Sequence, residues 1–226
     1  MHAVRDRASH PLFARMYARL SPRLELAGVA EHRRRLLAGV RGRVLEIGAG
    51  NGLCFAHYPP EVTEVAAVEP DPYLRSLALR AAQTAPVPVR VLDGVAESLP
   101  FASAQFDAAV AALVLCSVRD PRRALGELRR VLVPAGELRY YEHVVSSSRA
   151  AALAQRLMDA TLWPPLAGGC HMARDTGALI REAGFAVERE ERIPAGLSAS
   201  SPPLPHLIGV ARLVGEGPSS PRDGSA

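Results

Sequence analysis

Val44-Leu45-Glu46-Ile47-Gly48-Ala49-Gly50-Asn51-Gly52 is the stretch on which the reading of this chain turns. A short apolar strand runs straight into alternating glycines. Glycine accepts positive φ and carries no Cβ, so a strand ending in Gly-x-Gly-x-Gly lets backbone N–H groups approach a ligand closely. The strand ends of open parallel sheets are also where ligands bind. The loop by itself fits a ligand loop and a tight turn equally well. Glu69 decides between them, because it follows the next predicted strand at the same end of the sheet. A carboxylate there can accept hydrogen bonds from ribose hydroxyls. A dinucleotide pattern, Gly-x-Gly-x-x-Gly, fails because Leu53 stands where its last glycine belongs. A phosphate-binding P-loop needs a lysine, and the chain has none.

Working outward, short apolar runs alternate with helical stretches. Strands are predicted at Val44–Ile47, Glu64–Val68, Val87–Leu92, Phe106–Leu115, Glu137–Val144, Phe185–Ile193 and Leu207–Leu213. Helices are predicted at Tyr73–Thr84, Pro121–Val131 and Asp175–Ala183, the second opening on a proline as helices tolerate. This alternation predicts an α/β fold, a parallel sheet with helices on both faces. Ahead of it, Leu12, Phe13, Met16, Tyr17 and Leu20 recur at helical spacing and stop at Ser21-Pro22. A second helix is predicted from about Leu24 to Leu37, with Arg33, Arg34 and Arg35 on a solvated face. The domain reading is therefore a helical cap over 1–40, a binding domain over 41–214 with an insert at about 146–175, and a disordered Gly/Pro/Ser-rich tail at 215–226.

Composition sets the outer limits. The chain has 226 residues, 48% hydrophobic and 22% charged, which excludes disorder throughout. The net charge of +4 comes with Arg alone among the long basic residues, a usage that argues for coding bias over nucleic-acid binding. No apolar run reaches the ~18–20 residues of a membrane span. No secretory signal is read before the first charges. A cytoplasmic single-domain protein is expected, of undefined oligomeric state. Cys54, Cys116 and Cys170 are an odd number without paired metal spacing. They read as packing residues rather than nucleophiles. Cys170, His171 and His143 together do not make a zinc spacing, and no metal is expected.

At this point a resemblance becomes visible. The segment Val44–Gly52 resembles the first motif of class I S-adenosylmethionine-dependent methyltransferases, and Glu69-Pro70-Asp71 looks like their ribose-binding acid. Gly94-Val95-Ala96-Glu97-Ser98-Leu99-Pro100-Phe101 and Leu128–Leu138 resemble the type 11 subgroup. Phe55–Pro60, Leu113–Val118, Tyr141-Glu142-His143-Val144 and Gly169–Asp175 look like the animal microsomal alkyl-thiol methyltransferases and their bacterial relatives. The animal enzymes carry an N-terminal hydrophobic membrane anchor; none is read here, and membrane attachment is not among the expectations carried over. The resemblance implies a Rossmann-like sheet of order 3-2-1-4-5-7-6 and S-adenosyl-L-methionine as cofactor. It implies cofactor contacts at Glu46, Gly48, Ala49, Gly50, Gly52, Glu69, Pro70, Val95, Ala96, Ala112 and Leu113. The subgroup often places an acid where Val95 stands, so adenine would rest on the backbone of Val95 and Ala96 and on apolar contact.

A small, largely apolar acceptor is implied: a thiol, a hydroxyl or an activated ring carbon. A thiol near pKa ~8.5 needs only help toward its thiolate. His143, after the fifth strand, and His171, in the insert, are the candidate bases. The alternative for each is a histidine that anchors backbone, and His57 is expected to cap or pack the turn after the glycines. Phe13, Met16 and Tyr17, and opposite them Leu162, Trp163 and Leu166, fit either walls of the acceptor site or ordinary core. A non-catalytic sensor that binds the cofactor is the rival function. A nucleic-acid methyltransferase is disfavoured, because Leu113-Val114-Leu115-Cys116 replaces the Asn/Asp-Pro-Pro-Tyr/Phe type of motif.

Overall fold

Parallel strands covered on both faces need apolar side chains on both faces, and the strands of this chain supply them. A computed structural model describes residues 11–193 and 204–214. The tail 215–226 and the Pro- and Ser-rich stretch 195–203 lie outside the described residues. Strands β1 (Gly42–Ile47), β2 (Val62–Val68), β3 (Val89–Leu92), β4 (Phe106–Ala112), β5 (Leu132–His143), β6 (Phe185–Ile193) and β7 (His206–Leu213) form one seven-stranded sheet. Its order is β3-β2-β1-β4-β5-β7-β6, as the family resemblance implied. β1 pairs in parallel with β2 and β4, β2 with β3, and β4 with β5, whereas β7 runs antiparallel to both neighbours.

The period-2 alternation of a strand divides the core in two. Leu45, Ile47, Ala109, Ala111, Leu138 and Tyr140 face one layer, where α4 (Pro121–Val131) contributes Leu125 and Leu128 and α7 (Thr176–Glu182) contributes Ile180. Val44, Val65, Ala67, Ala108, Val110 and Tyr141 face the other, under α2 (Ala30–Leu37) and α3 (Pro72–Ala82). Asp71 caps α3, its carboxylate accepting from the N–H groups of Tyr73 and Leu74 at 3.0 Å, worth about 1 kcal/mol. Among the described residues no helix is long and apolar enough to cross a membrane.

Several sequence expectations change. The N-terminal helix α1 (Pro11–Leu24) does not stop at Ser21-Pro22 but carries Pro22 inside it. Buried Ser21 accepts a hydrogen bond from Asn51 at 2.9 Å, and this packing holds the segment helical despite the lost N–H. A π-helical turn, Glu25–Val29, then joins α1 to α2, and the break falls at Gly28, whose φ is 118°. Arg33 is not solvated but 4% exposed, inserted beneath the glycine loop. β4 ends at Ala112 rather than Leu115, because Leu113 takes a φ of 62°. β5 begins at Leu132 rather than Glu137, running through Pro134-Ala135-Gly136 with a shift of register against β4. The insert folds as α5 (Arg149–Asp159) and the short α6 (Trp163–Leu166).

Candidate active site

The glycine loop leaves β1 with Gly48, Gly50 and Gly52 all at positive φ. At Gly48 a Cβ would come within 2.6 Å of Val114, so the loop lies close against the segment following β4. At Gly50, with φ of 58°, the space a Cβ would enter ends at the Tyr17 ring, 3.5 Å away. The Ala49 N–H donates to the carbonyl of Val68 at 3.1 Å, tying the loop to the end of β2. There Glu69 closes the arrangement. One carboxylate oxygen accepts from the Gly50 N–H and the other from the Asp71 N–H, both at 2.8 Å. Each oxygen keeps a further lone-pair direction for a ligand hydroxyl. Burial pushes the Glu69 carboxyl up to about 7, against the pull of those two N–H bonds. Pro70 stands half-buried beside it.

Glu46 is turned the other way, beneath the loop. It accepts from the Tyr58 hydroxyl at 2.8 Å, is 2% exposed, and burial raises it to about 7. Arg33 reaches the same region, donating to Cys54 Sγ at 3.2 Å and to Glu25 at 3.0 Å. This buried network stiffens the floor of the loop. Asn51 donates through its amide to Ser21, and its Oδ1 is buried with no donor among the described residues. An orphaned buried acceptor beside a bare glycine floor and a carboxylate with lone pairs to spare fits S-adenosylmethionine, whose ammonium group and ribose can supply the missing donors.

Val95 and Ala96 are buried in the loop after β3, where Val95 makes an isolated bridge with Ser98. α4 holds that loop: Glu127 accepts from the Leu99 N–H at 2.7 Å, and Arg130 donates to the Phe101 carbonyl at 2.7 Å. Ala112 ends β4 and Leu113 follows it, the Leu113 N–H bonded to the Tyr141 carbonyl at 2.7 Å. A leucine at positive φ is a strained conformation, which collects at ligand-facing positions. Glu142, quoted in the family resemblance but given no role by the sequence, organises the turn that follows. Its carboxylate accepts from the N–H groups of Val114, Leu115 and Cys116 at 2.9–3.0 Å. Burial pushes it up, and the three N–H bonds work the other way by favouring its charged form.

His143 does not stand free at its strand end. Its Nδ1 is 3.4 Å from Cys170 Sγ and 3.8 Å from Cys116 Sγ. Its ring lies 4.5 Å from that of His206, which in turn stacks on Tyr141. Burial, with the charges of His143 and His32, pushes His206 down to about 3. His171 lies close by, because its N–H donates to the Cys116 carbonyl at 2.8 Å. Its Nδ1 is 2.8 Å from the Gly169 carbonyl and 3.4 Å from an Arg174 nitrogen. The Gly169 carbonyl can only accept, so the shorter contact puts a proton on Nδ1, and in the neutral ring the lone pair is then on Nε2. Arg174 meanwhile donates to the Leu115 and Val118 carbonyls, at 2.6 and 2.9 Å. His57 sits half-buried in the turn Phe55–His57, where burial pushes it down and where it touches neither candidate base. α1 reaches both the insert and the glycine loop, with Phe13 against Gly168 and Tyr17 against Gly50.

The comparisons agree with this geometry. Residues 45–140 match the family model described as a methyltransferase domain. Thiol S-methyltransferase TMT1B of Rattus norvegicus is 35% identical over 172 residues, covering 74% of this chain and 69% of that protein. Thiol S-methyltransferase TMT1A of Homo sapiens is 31% identical over 180 residues, or 77% of this chain and 72% of that one. The N-methyltransferase NodS from Bradyrhizobium japonicum WM9, solved with S-adenosyl-L-homocysteine, superposes with a TM-score of 0.60 at 19% identity, covering 81% and 86% of the two chains.

Proposed function

The chain belongs to the S-adenosylmethionine-dependent methyltransferases that include the thiol S-methyltransferases, and from this premise we propose that it methylates a small, largely apolar thiol. Bound S-adenosylmethionine supplies a methyl group already activated on a sulfonium, so the protein has only to bind, orient, exclude water and manage one proton. The single observation that carries the reading is the apolar cover: Phe13 and Tyr17 of α1 span from Gly168 of the insert to Gly50 of the glycine loop. Such a cover suits an uncharged, apolar acceptor and keeps water from the reacting centre. Holding an acceptor in line can supply ~7–11 kcal/mol of the barrier lowering.

In this proposal Gly48, Ala49, Gly50 and Gly52 floor the cofactor site, Glu69 and Pro70 take the ribose, and Val95, Ala96, Ala112 and Leu113 flank the adenine. Glu46 supports the floor without touching the ligand. We assign the acceptor's proton to Nε2 of His171, whose Nδ1–H is held by Gly169. The thiol loses its proton there, and its sulfur takes the methyl group. His143, facing two cysteine sulfurs, is given a positioning part instead. The site is proposed for small molecules and not for nucleic acid.

The test is formation of S-adenosylhomocysteine with a panel of aliphatic and aromatic thiols, matched alcohols and phenols. Turnover confined to thiols is expected, with kcat/KM for His171→Ala lower by ~10²-fold and cofactor affinity unchanged. Turnover only with hydroxyl acceptors would overturn the thiol assignment. Tight cofactor binding with no turnover across the panel would leave a sensor.

A further inference from the structure

The feature that the methyl-transfer reading does not use is the pair of cysteines around His143. Cys116 lies in the turn after β4, His143 ends β5, and Cys170 belongs to the insert. One ligand atom from each lies within 4.8 Å of the others. A zinc ion bound at ordinary Zn–S and Zn–N lengths of about 2.3 and 2.0–2.1 Å sets tetrahedral N···S edges of about 3.6 Å. The two edges here, 3.4 and 3.8 Å, bracket that value. Both thiols are buried, Cys116 1% and Cys170 5% exposed. Glu142, the nearest carboxylate in sequence, is committed to the backbone of the Cys116 turn and fixes the direction of that thiol. The buried Trp163 N–H, without an oxygen or nitrogen acceptor among the described residues, lies beside Cys170. Two sulfurs and an imidazole select zinc over magnesium or calcium.

We propose that Cys116, His143 and Cys170 form a zinc site with three protein ligands, its fourth position left to water or a small ligand. The proposed trio differs from the Cys170, His171 and His143 weighed from the sequence, since Cys116 enters only through the packing of the turn after β4. The site joins the insert to the ends of β4 and β5, so zinc pins the acceptor side of the molecule to the sheet. Nothing in this depends on which acceptor is methylated.

The experiment strips the purified, reduced full chain with a chelator and titrates it with Co2+, then with Zn2+. One equivalent of cobalt with a thiolate-to-cobalt charge-transfer band in the near ultraviolet, bleached by zinc, is expected. Zinc should also raise Tm of the unmodified protein. Cys116→Ser and Cys170→Ser should each lose most of the band, with His143→Gln weakening it. Cys54→Ser, altered beneath the glycine loop, should keep it; circular dichroism checks the fold of each variant. No charge-transfer band in the unmodified protein overturns the proposal, and so does a band that survives both serine variants. A Cys116–Cys170 disulfide that forms in air despite excess zinc also overturns it and makes the pair a redox pair.

Discussion

Glu69 does two jobs with one carboxylate, and the order in which they depend on charge can be measured. It ties Gly50 and Asp71 in place through N–H bonds, and in the proposed function its remaining lone pairs take the ribose. A hydrogen bond to a charged group contributes ~1.5–3 kcal/mol. With its pKa near 7, the free protein holds this group protonated below that pH. Affinity for S-adenosylhomocysteine should therefore rise as pH increases from about 6 to 8, by calorimetry. Glu69→Gln should bind about tenfold or more weakly, about 1.4 kcal/mol on the affinity scale, and its affinity should be flat over the same range. A loss under threefold, or a pH slope that persists in the variant, would remove Glu69 from the ribose role. Glu69 was legible in the sequence because it sits one residue past a predicted strand. Glu142 was not, because its partners are backbone groups about 26–28 residues away. No spacing rule reports such a bond.

At the scale of elements, α1 behaves as a cover. Of its residues only Ala14 and Ser21 are buried, and it meets the rest of the molecule at Gly168 through Phe13, at Gly50 through Tyr17 and at Asn51 through Ser21. Its outer face keeps Leu12, Met16 and Leu20 in solvent. Helices held by few buried contacts open at low cost. Tyr17→Ala should raise KM for the acceptor several-fold and leave Tm nearly unchanged. An equal fall in Tm with an unaltered KM would make Tyr17 a packing residue alone. The sequence placed this helix but ended it at Pro22, since local rules cannot weigh the Asn51–Ser21 contact against a missing N–H. The same limitation put Arg33 in solvent. Its guanidinium is buried by Cys54 and Glu25, neither of which a helical wheel would show.

For the molecule as a whole, buried carboxyls set part of the pH dependence of folding. Burial pushes both Glu46 and Glu69 from 4.5 to about 7, so between those values the folded state holds protons that the unfolded chain has released. Their contribution to stability is complete below about pH 4.5 and is lost as pH rises through 7. His206, pushed down to about 3, contributes the opposite slope and weakens the fold as pH falls below 6.5. Glu46→Gln isolates one carboxyl, since the amide oxygen can still accept from Tyr58. In ligand-free protein, the Tm of the unmodified chain relative to this variant should fall between pH 5 and 8. A difference that stays constant with pH would mean that Glu46 titrates normally. The sequence by itself determined the sheet, its covered faces, the glycine loop and the acid beside it, because periodicity and strand-end chemistry are local and repeat along the chain. Only the tertiary structure decided that Glu46 and Arg33 lie under the loop and that α1 reaches the insert. It alone gathered Cys116, His143 and Cys170 at one point. Those arrangements depend on which strand ends and loops come together in space, a long-range property that side-chain order does not encode one segment at a time.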